Sequence, residues 1–284
     1  MTATSPRAEF RVVSPSAIAG DWRRVFYLST LLAWTDLKVR FFDSALGYLW
    51  SLMRPLLFFG VLYAVFSEIV RIGSGIQYYP AVLLSGIVLY TFFSESTNDA
   101  VQSVLKHEAL VRKVAFPRLV IPLSGTLIAG FNLLMNLLAA LFFMVLSGVV
   151  PRASWLELPA LLALLMALAL GVSMLLSVLY VRFRDIDPIW QVITQALFYA
   201  TPILYPVEVI AARYPKLAQL AMWNPLAAII QQFRHAVIDT TAPSAAAAIG
   251  GTVWLLIPLG IVFGLLALGW VTFNRMSPKV AEQL

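Results

Sequence analysis

Apolar residues fill this chain in long blocks, and most of the charged residues fall between them. A helix needs about 20 mostly apolar residues to cross a bilayer's hydrocarbon core. Six blocks meet that requirement: 50–70, 79–103, 119–150, 158–181, 188–206 and 250–273. The first is free of charge only over 55–67, but Arg54 and Glu68 can snorkel to opposite interfaces. The third exceeds one crossing, which tilt and irregular ends accommodate. The pattern predicts an all-α membrane protein with six transmembrane helices.

Two further segments are apolar without being spans. In 21–42 the charge-free middle, 25–35, is too short to cross. Val25, Leu28, Leu32 and Val39 fall on one helical face, Asp36 can pair with Arg40 one turn on, and Trp34 and Leu37 interrupt the other face. This reads as an N-terminal amphipathic helix lying along the inner membrane surface. In 207–249, the run 217–233 is broken by Asn224-Pro225 and ends in Gln231-Gln232. It reads as re-entrant outer helices between spans five and six, which are tolerated only against protein or a water-filled cavity. Residues 1–20 lack the basic-then-apolar pattern of a signal peptide and are expected to be a flexible tail; 276–284 are expected to be a second tail.

Composition supports the membrane reading. The chain is 61% hydrophobic and 12% charged, where soluble proteins carry about 25% charged residues. In this setting the net charge of +6 speaks through its distribution rather than toward nucleic acid. With the N-terminus cytoplasmic, the inside holds Arg7, Arg11, Arg23, Arg24, Lys38, Arg40, Arg54, Lys106, Arg112, Lys113, Arg118, Arg182, Arg184, Arg275 and Lys279, 15 of the 20 basic residues. The outside keeps Arg71, Arg152, Arg213, Lys216 and Arg234. Both termini are therefore expected inside.

Candidate chemistry is sparse. The chain has no cysteine, which excludes disulfides and thiolate chemistry. His107 and His235 fall on opposite sides of the membrane in this topology, so no metal site is expected. No glycine precedes a lysine, so the phosphate-cradling GxxxxGK[ST] loop is missing and the chain is not expected to be an ATPase. Asp185 and Asp187 in "RDIDP" have a metal-binding spacing, but Asp187 before Pro188 reads better as a helix N-cap. Short loops also disfavour a membrane-bound transferase.

The stretch "DLKVRFFDSALGYLWSLMRPLL" (36–57) resembles the start of the ABC-2 type permeases that export polysaccharides such as O-antigen, capsule and teichoic acid. The residues that carry the likeness are Asp36, Arg40, Ser44, Leu46, Gly47, Trp50 and Pro55. "VRKVAFPRLVIP" (111–122), "VRFRDI" (181–186), "TPILYP" (201–206) and "NPLAAII" (224–230) match the same family in order, so the likeness covers nearly the whole chain. Phe42-Asp43 depart from it, since members often carry a basic residue there. The resemblance implies a transmembrane domain over 43–275 in the bacterial inner membrane. It implies a second copy of the chain and two copies of a cytoplasmic ATPase. ATP and Mg would then belong to the ATPase, with no cofactor on this chain.

The resemblance also implies a docking role for the cytoplasmic loop after span two. Lys106, His107, Glu108, Arg112 and Lys113 offer charges on a short helix, Phe116 an apolar anchor, and Pro117 a stop before Arg118. Arg182, Arg184 and Asp185 and the 21–42 helix are assigned the same role. Attraction of the basic loop to anionic lipid is compatible with it. For a lipid-linked glycan, aromatic faces give sugars a weakly directional path. The channel candidates are Phe58, Phe59, Tyr63 and Phe66 on span one, Tyr90, Phe92 and Phe93 on span two, and Phe198 and Tyr199 on span five. Glu95 and Asp99, with Asn98 on the same face, are expected at the inner entrance or paired with Arg40 or Arg54. Asn132, Asn136, Gln191 and Gln195 are expected to bond between helices, with channel lining as the alternative. Competing functions are an ABC-2 permease for a drug or small lipid, a secondary carrier, and the transferase.

Overall fold

A computed structural model describes residues 22–42, 47–71, 76–107 and 117–283 of the chain. Every regular element among the described residues is helical. Helix α1 covers Trp22–Phe42. Helix α2, Leu49–Tyr63, runs on into a π-helical turn, Ala64–Ile69. Helix α3 (Tyr79–Val101) is followed by the single turn α4 (Ser103–Lys106). Helix α5 is Val120–Leu146. A 3₁₀ turn, Ala153–Glu157, leads into α6 (Leu158–Arg182). Helix α7 (Ile186–Ala200) ends where four short helices begin: α8 (Val207–Arg213), α9 (Pro215–Ala221), α10 (Pro225–Phe233) and α11 (Ala245–Ile249). A 3₁₀ turn, Thr252–Leu255, opens α12 (Leu256–Gln283).

Among the described residues, four stretches are long and apolar enough to cross a membrane: Leu49–Ile69, Val120–Leu146, Ala153–Arg182 and Thr252–Met276. They coincide with the predicted first, third, fourth and sixth spans, and the chain is a multi-pass membrane protein. Helices α3 and α7 occupy the predicted second and fifth spans. At 15 residues α7 is about 22 Å long, short of a full crossing by itself.

Local sequence explains the boundaries. Gly47 turns the chain into α2 at φ 46°, a conformation glycine adopts without a Cβ penalty. Pro80 and Pro159 sit in the first turns of α3 and α6, where no intrahelical N–H is needed. Asn224 accepts from the Leu226 amide at 3.0 Å and is followed by Pro225, so the apolar run 217–233 breaks into α9 and α10 as its sequence indicates. Ser244 caps α11 in the same way, accepting from Ala247. At the far end, α12 continues through 276–283, so the segment expected as a tail has helical backbone.

Helix α3 is the centre of the bundle. Leu83, Ile87, Phe92 and Val101 are fully buried among α5, α6 and α10. The Ser96 hydroxyl donates to Thr126 Oγ1 (3.1 Å), and the Ser173 hydroxyl donates to the Ser96 carbonyl (3.2 Å), tying α3 to α5 and α6. Helices α6 and α12 touch backbone to backbone. A Cβ on Gly269 would lie 2.3 Å from the Gly171 carbonyl oxygen, and one on Gly171 would lie 2.7 Å from the Leu266 nitrogen. Helix α1 is buried along Val25, Ser29, Ala33 and Leu37, with Leu28 and Leu32 alongside; Trp22 stacks on Trp270 of α12 at 5.5 Å. The expected stripe therefore shifts: Val39 is exposed and Leu37 is not. The small side chains of Ser29 and Ala33 allow the close approach.

The four short helices α8–α11 form a cap over one end of the bundle. Tyr79 of α3 donates to the Leu204 carbonyl (2.9 Å). Trp155 donates to Val237 (3.0 Å), and Gln232 to Glu157 (2.7 Å). The opposite end, where α3 finishes and α7 begins, carries α4 and α1.

Candidate functional site

Between α2, α3 and α7 a cleft encloses about 540 Å³. Helix α2 contributes Arg54, Pro55 and Phe58, and α3 contributes Tyr90, Thr91, Ser94 and Glu95. Helix α7 contributes Gln191, Thr194, Gln195, Phe198 and Tyr199. The helix directions order these groups along the cleft. Arg54, Glu95 and Gln191 lie toward the α4 end, and Tyr90, Phe198 and Tyr199 lie toward the cap.

The aromatic half is one connected cluster. Phe198 meets Phe58 at 5.6 Å, Tyr90 edge-on at 5.1 Å and Tyr199 edge-on at 5.5 Å between ring centroids. Tyr90 donates its hydroxyl to the Thr194 carbonyl, which fixes its ring against α7. Buried Phe198 is the hub, while Tyr199 and Phe58 stay exposed along the opening. In the polar half, Glu95 accepts from Asn132 of α5 at 3.3 Å. A surface of ring faces, amides, hydroxyls, one guanidinium and one carboxylate offers many contacts to a polar ligand that has to keep moving.

A family model for the ABC-2 type transporter matches residues 27–238. The chain is 30% identical over 261 residues to the O-antigen export system permease protein RfbA of Klebsiella pneumoniae, covering 92% of this chain and 96% of that one. The chain belongs to the ABC-2 type transporter family. A second O-antigen export system permease protein RfbA, from Myxococcus xanthus, is 26% identical over 210 residues, 74% of this chain and 80% of its own. The polysialic acid transport protein KpsM of Escherichia coli is 25% identical over 210 residues, 72% and 78% of the two chains.

In this ABC-2 chain the sequence-predicted channel residues separate into groups. Phe58, Tyr90, Glu95, Phe198 and Tyr199 come together in the cleft. Phe59 and Tyr63 stack on each other at 5.7 Å, with Phe59 against Phe143 of α5, and Phe66 packs beside the core. Phe92 and Phe93 are buried in the core. Glu95, Asn98 and Asp99 diverge: Asn98 bonds back to Ser94 on its own helix, and Asp99 takes Arg40 of α1 at 3.4 Å. That pair is about half exposed and holds α1 only weakly.

Arg54, Thr91, Ser94, Gln191, Thr194 and Gln195 also line the cleft. Gln191, Gln195 and Tyr199 recur every four residues, so the stripe is present in the sequence. Asn132 does bond between helices, whereas Asn136 bonds to the Asn132 carbonyl of its own helix.

At the α4 end, Lys106 closes α4 and His107 follows, its Nε2 3.5 Å from Asp36 of α1. Pro117 is buried and Arg118 partly so; burial pulls the Arg118 guanidinium below its usual pKa. Asp43, Ser44, Glu108, Arg112, Lys113 and Phe116 lie outside the described residues. Arg182 and Arg184 lie over the Phe183 and Tyr180 rings at 5.4 and 5.1 Å. Asp185 precedes α7 without capping it through its side chain. Asp187 is inside the first turn rather than at the cap. It accepts from Gln102, the residue that follows α3 (2.7 Å), and from Gln191 (3.2 Å), and so joins α7 to the end of α3. Trp50 is exposed on α2, and Pro55 lines the cleft.

Proposed function

We propose that this chain is the membrane subunit of an ATP-driven exporter that moves a polysaccharide, lipid-linked in its transported form, across the bacterial inner membrane. The observation that carries the reading is near full-length similarity to an O-antigen export permease, joined to a cleft lined by rings and amides. In this reading α2, α3, α5, α6, α7 and α12 are six spans with both termini inside. The α8–α11 cap is then the re-entrant outer element. Residues 1–20 are a tail, 43–275 the transmembrane domain, and the end of α12 a cytoplasmic extension.

Two copies of the chain form the path, and two copies of an ATPase bind ATP and Mg. Lys106–Arg118, Arg182–Asp185 and α1 transmit the ATPase stroke. Arg40 and Asp36 support this role, because their contacts to Asp99 and His107 bring α1 beside the segment that bears the docking loop.

The test uses the absence of native cysteine. Single cysteines placed at 106–118 should label from the cytoplasmic side only, and cysteines at 207–249 from the outer side only. In inverted vesicles, glycan movement should need ATP and the partner ATPase. Transport by the chain alone, or outer labelling at 106–118, overturns the reading.

A further inference from the structure

The cap end holds a second cavity, about 600 Å³, that shares no lining residue with the cleft. Gln77 stands on one wall, Glu208 and Val209 on another, and Arg234, Asp239 and Thr241 on the third. The Arg234 side chain is only 7% exposed, and its Nη1 donates to Glu208 at 2.8 Å while its enclosed Nε–H has no acceptor. A buried ion pair is weak evidence for stability, and a buried donor without an acceptor costs stability outright. Asp239 is held by the Thr241 amide (2.9 Å) and hydroxyl (2.6 Å). Glu208 is 40% exposed, so it can accept from a ligand while keeping Arg234.

The chemistry narrows the ligand. One guanidinium and two carboxylates leave the cavity with a net charge of −1, which disfavours an anion. The guanidinium in its wall disfavours a cation. An uncharged polyol meets donors and acceptors together, because each hydroxyl can give one hydrogen bond and take another. Val209, with Ile76 and Pro206 beside it, offers the apolar contact that a sugar's C–H face needs. The volume lies within the usual range of small-molecule sites.

We propose that this cavity is a saccharide site that holds an uncharged sugar unit of the glycan at the cap end, separate from the cleft. It rests on the export reading for the source of the sugar.

Full-length protein in lipid nanodiscs would be photolabelled with gluco-, galacto- and manno-disaccharides that carry a diazirine at the reducing end. Labelled peptides would be mapped by mass spectrometry. Labelling of 206–212 and 234–242, competed by the plain disaccharides, is expected. Glu208→Gln should weaken it about tenfold and Gln77→Ala about fivefold, the factors that one hydrogen bond to a charged and to a neutral group carry. Gln77 is exposed on a loop, so its variant keeps the test sound if Glu208→Gln fails to fold. Competed label confined to α3 and α7 overturns the cap site and leaves the export reading standing. Competed label confined to the cap upholds the site and counts against the cleft as the path. Cap label that competitor does not reduce, or that sialic acid displaces better than the neutral sugars, overturns the proposal.

Discussion

Helices α2 and α3 neighbour each other and share the cleft, yet they live in different surroundings. Helix α3 carries Ser85, Glu95, Ser96, Thr97 and Asn98 and is buried along most of its length. Helix α2 is more uniformly apolar, and Pro55 is its one buried residue. In water the order would be reversed. In a membrane, lipid solvates apolar side chains as well as a protein interior does, so polar groups and close packing decide which helix goes inside. The bare face of α2, with Trp50, Leu57 and Val61, is therefore compatible with a stable protein.

Matched substitutions on the two helices probe this contrast. The largest effect is expected from Phe92→Ala in α3, where the ring is 1% exposed: a loss of about 3–5 kcal/mol. Phe58→Ala in α2 should leave the melting temperature in detergent nearly unchanged and lower glycan transport instead. Equal destabilisation by both would erase the distinction.

Next comes the glycine pair. A side chain at Gly86 of α3 meets Ile203 at 3.0 Å, whereas nothing lies within 4 Å of Gly60 on α2. Gly86→Leu should cost about 1–3 kcal/mol by overpacking. Gly60→Leu should cost nothing measurable in the melting temperature.

The smallest effect concerns acid. Burial alone would raise the Asp239 carboxyl, but Thr241 and Arg234 hold it below the usual aspartate range. A depressed folded pKa gives stabilisation that is present above the ordinary value, about 4, and is lost as the pH falls below it. Amide exchange at the first turn of α3, which Tyr79 bonds to the cap, should hold steady from pH 7 to pH 5 and quicken below about 4 after intrinsic correction. Exchange along α2 should not follow it.

Much of this fold was legible in the chain. Apolar blocks with charged ends located α6, and α2 together with its π-helical turn, to within about a residue, because a bilayer sets length and polarity together. The Asn224-Pro225 break and the short cap helices followed from local signals. Helix α1 was legible as a helix but not in its buried face, since hydrophobicity gives no weight to Ser29 and Ala33, whose value is their size. The cleft was legible in part. Adjacent rings such as Phe58 and Phe59 point about 100° apart, and only the neighbouring helices decide which one meets the opening. Gln191 and Gln195 looked like glue between helices because an amide reads the same in either role. Asp187 resembled a cap and proved to be a tie to Gln102, a partner 85 positions away that no local rule could supply.

The glycine crossing of α6 and α12 has a mechanical corollary. Where two main chains touch with no side chain between them, there is nothing to re-rotamer and little room to yield. That seam behaves as a keel. Whatever widens the cleft has to be borne by the helices that line it, α2 above all, while the keel holds its line.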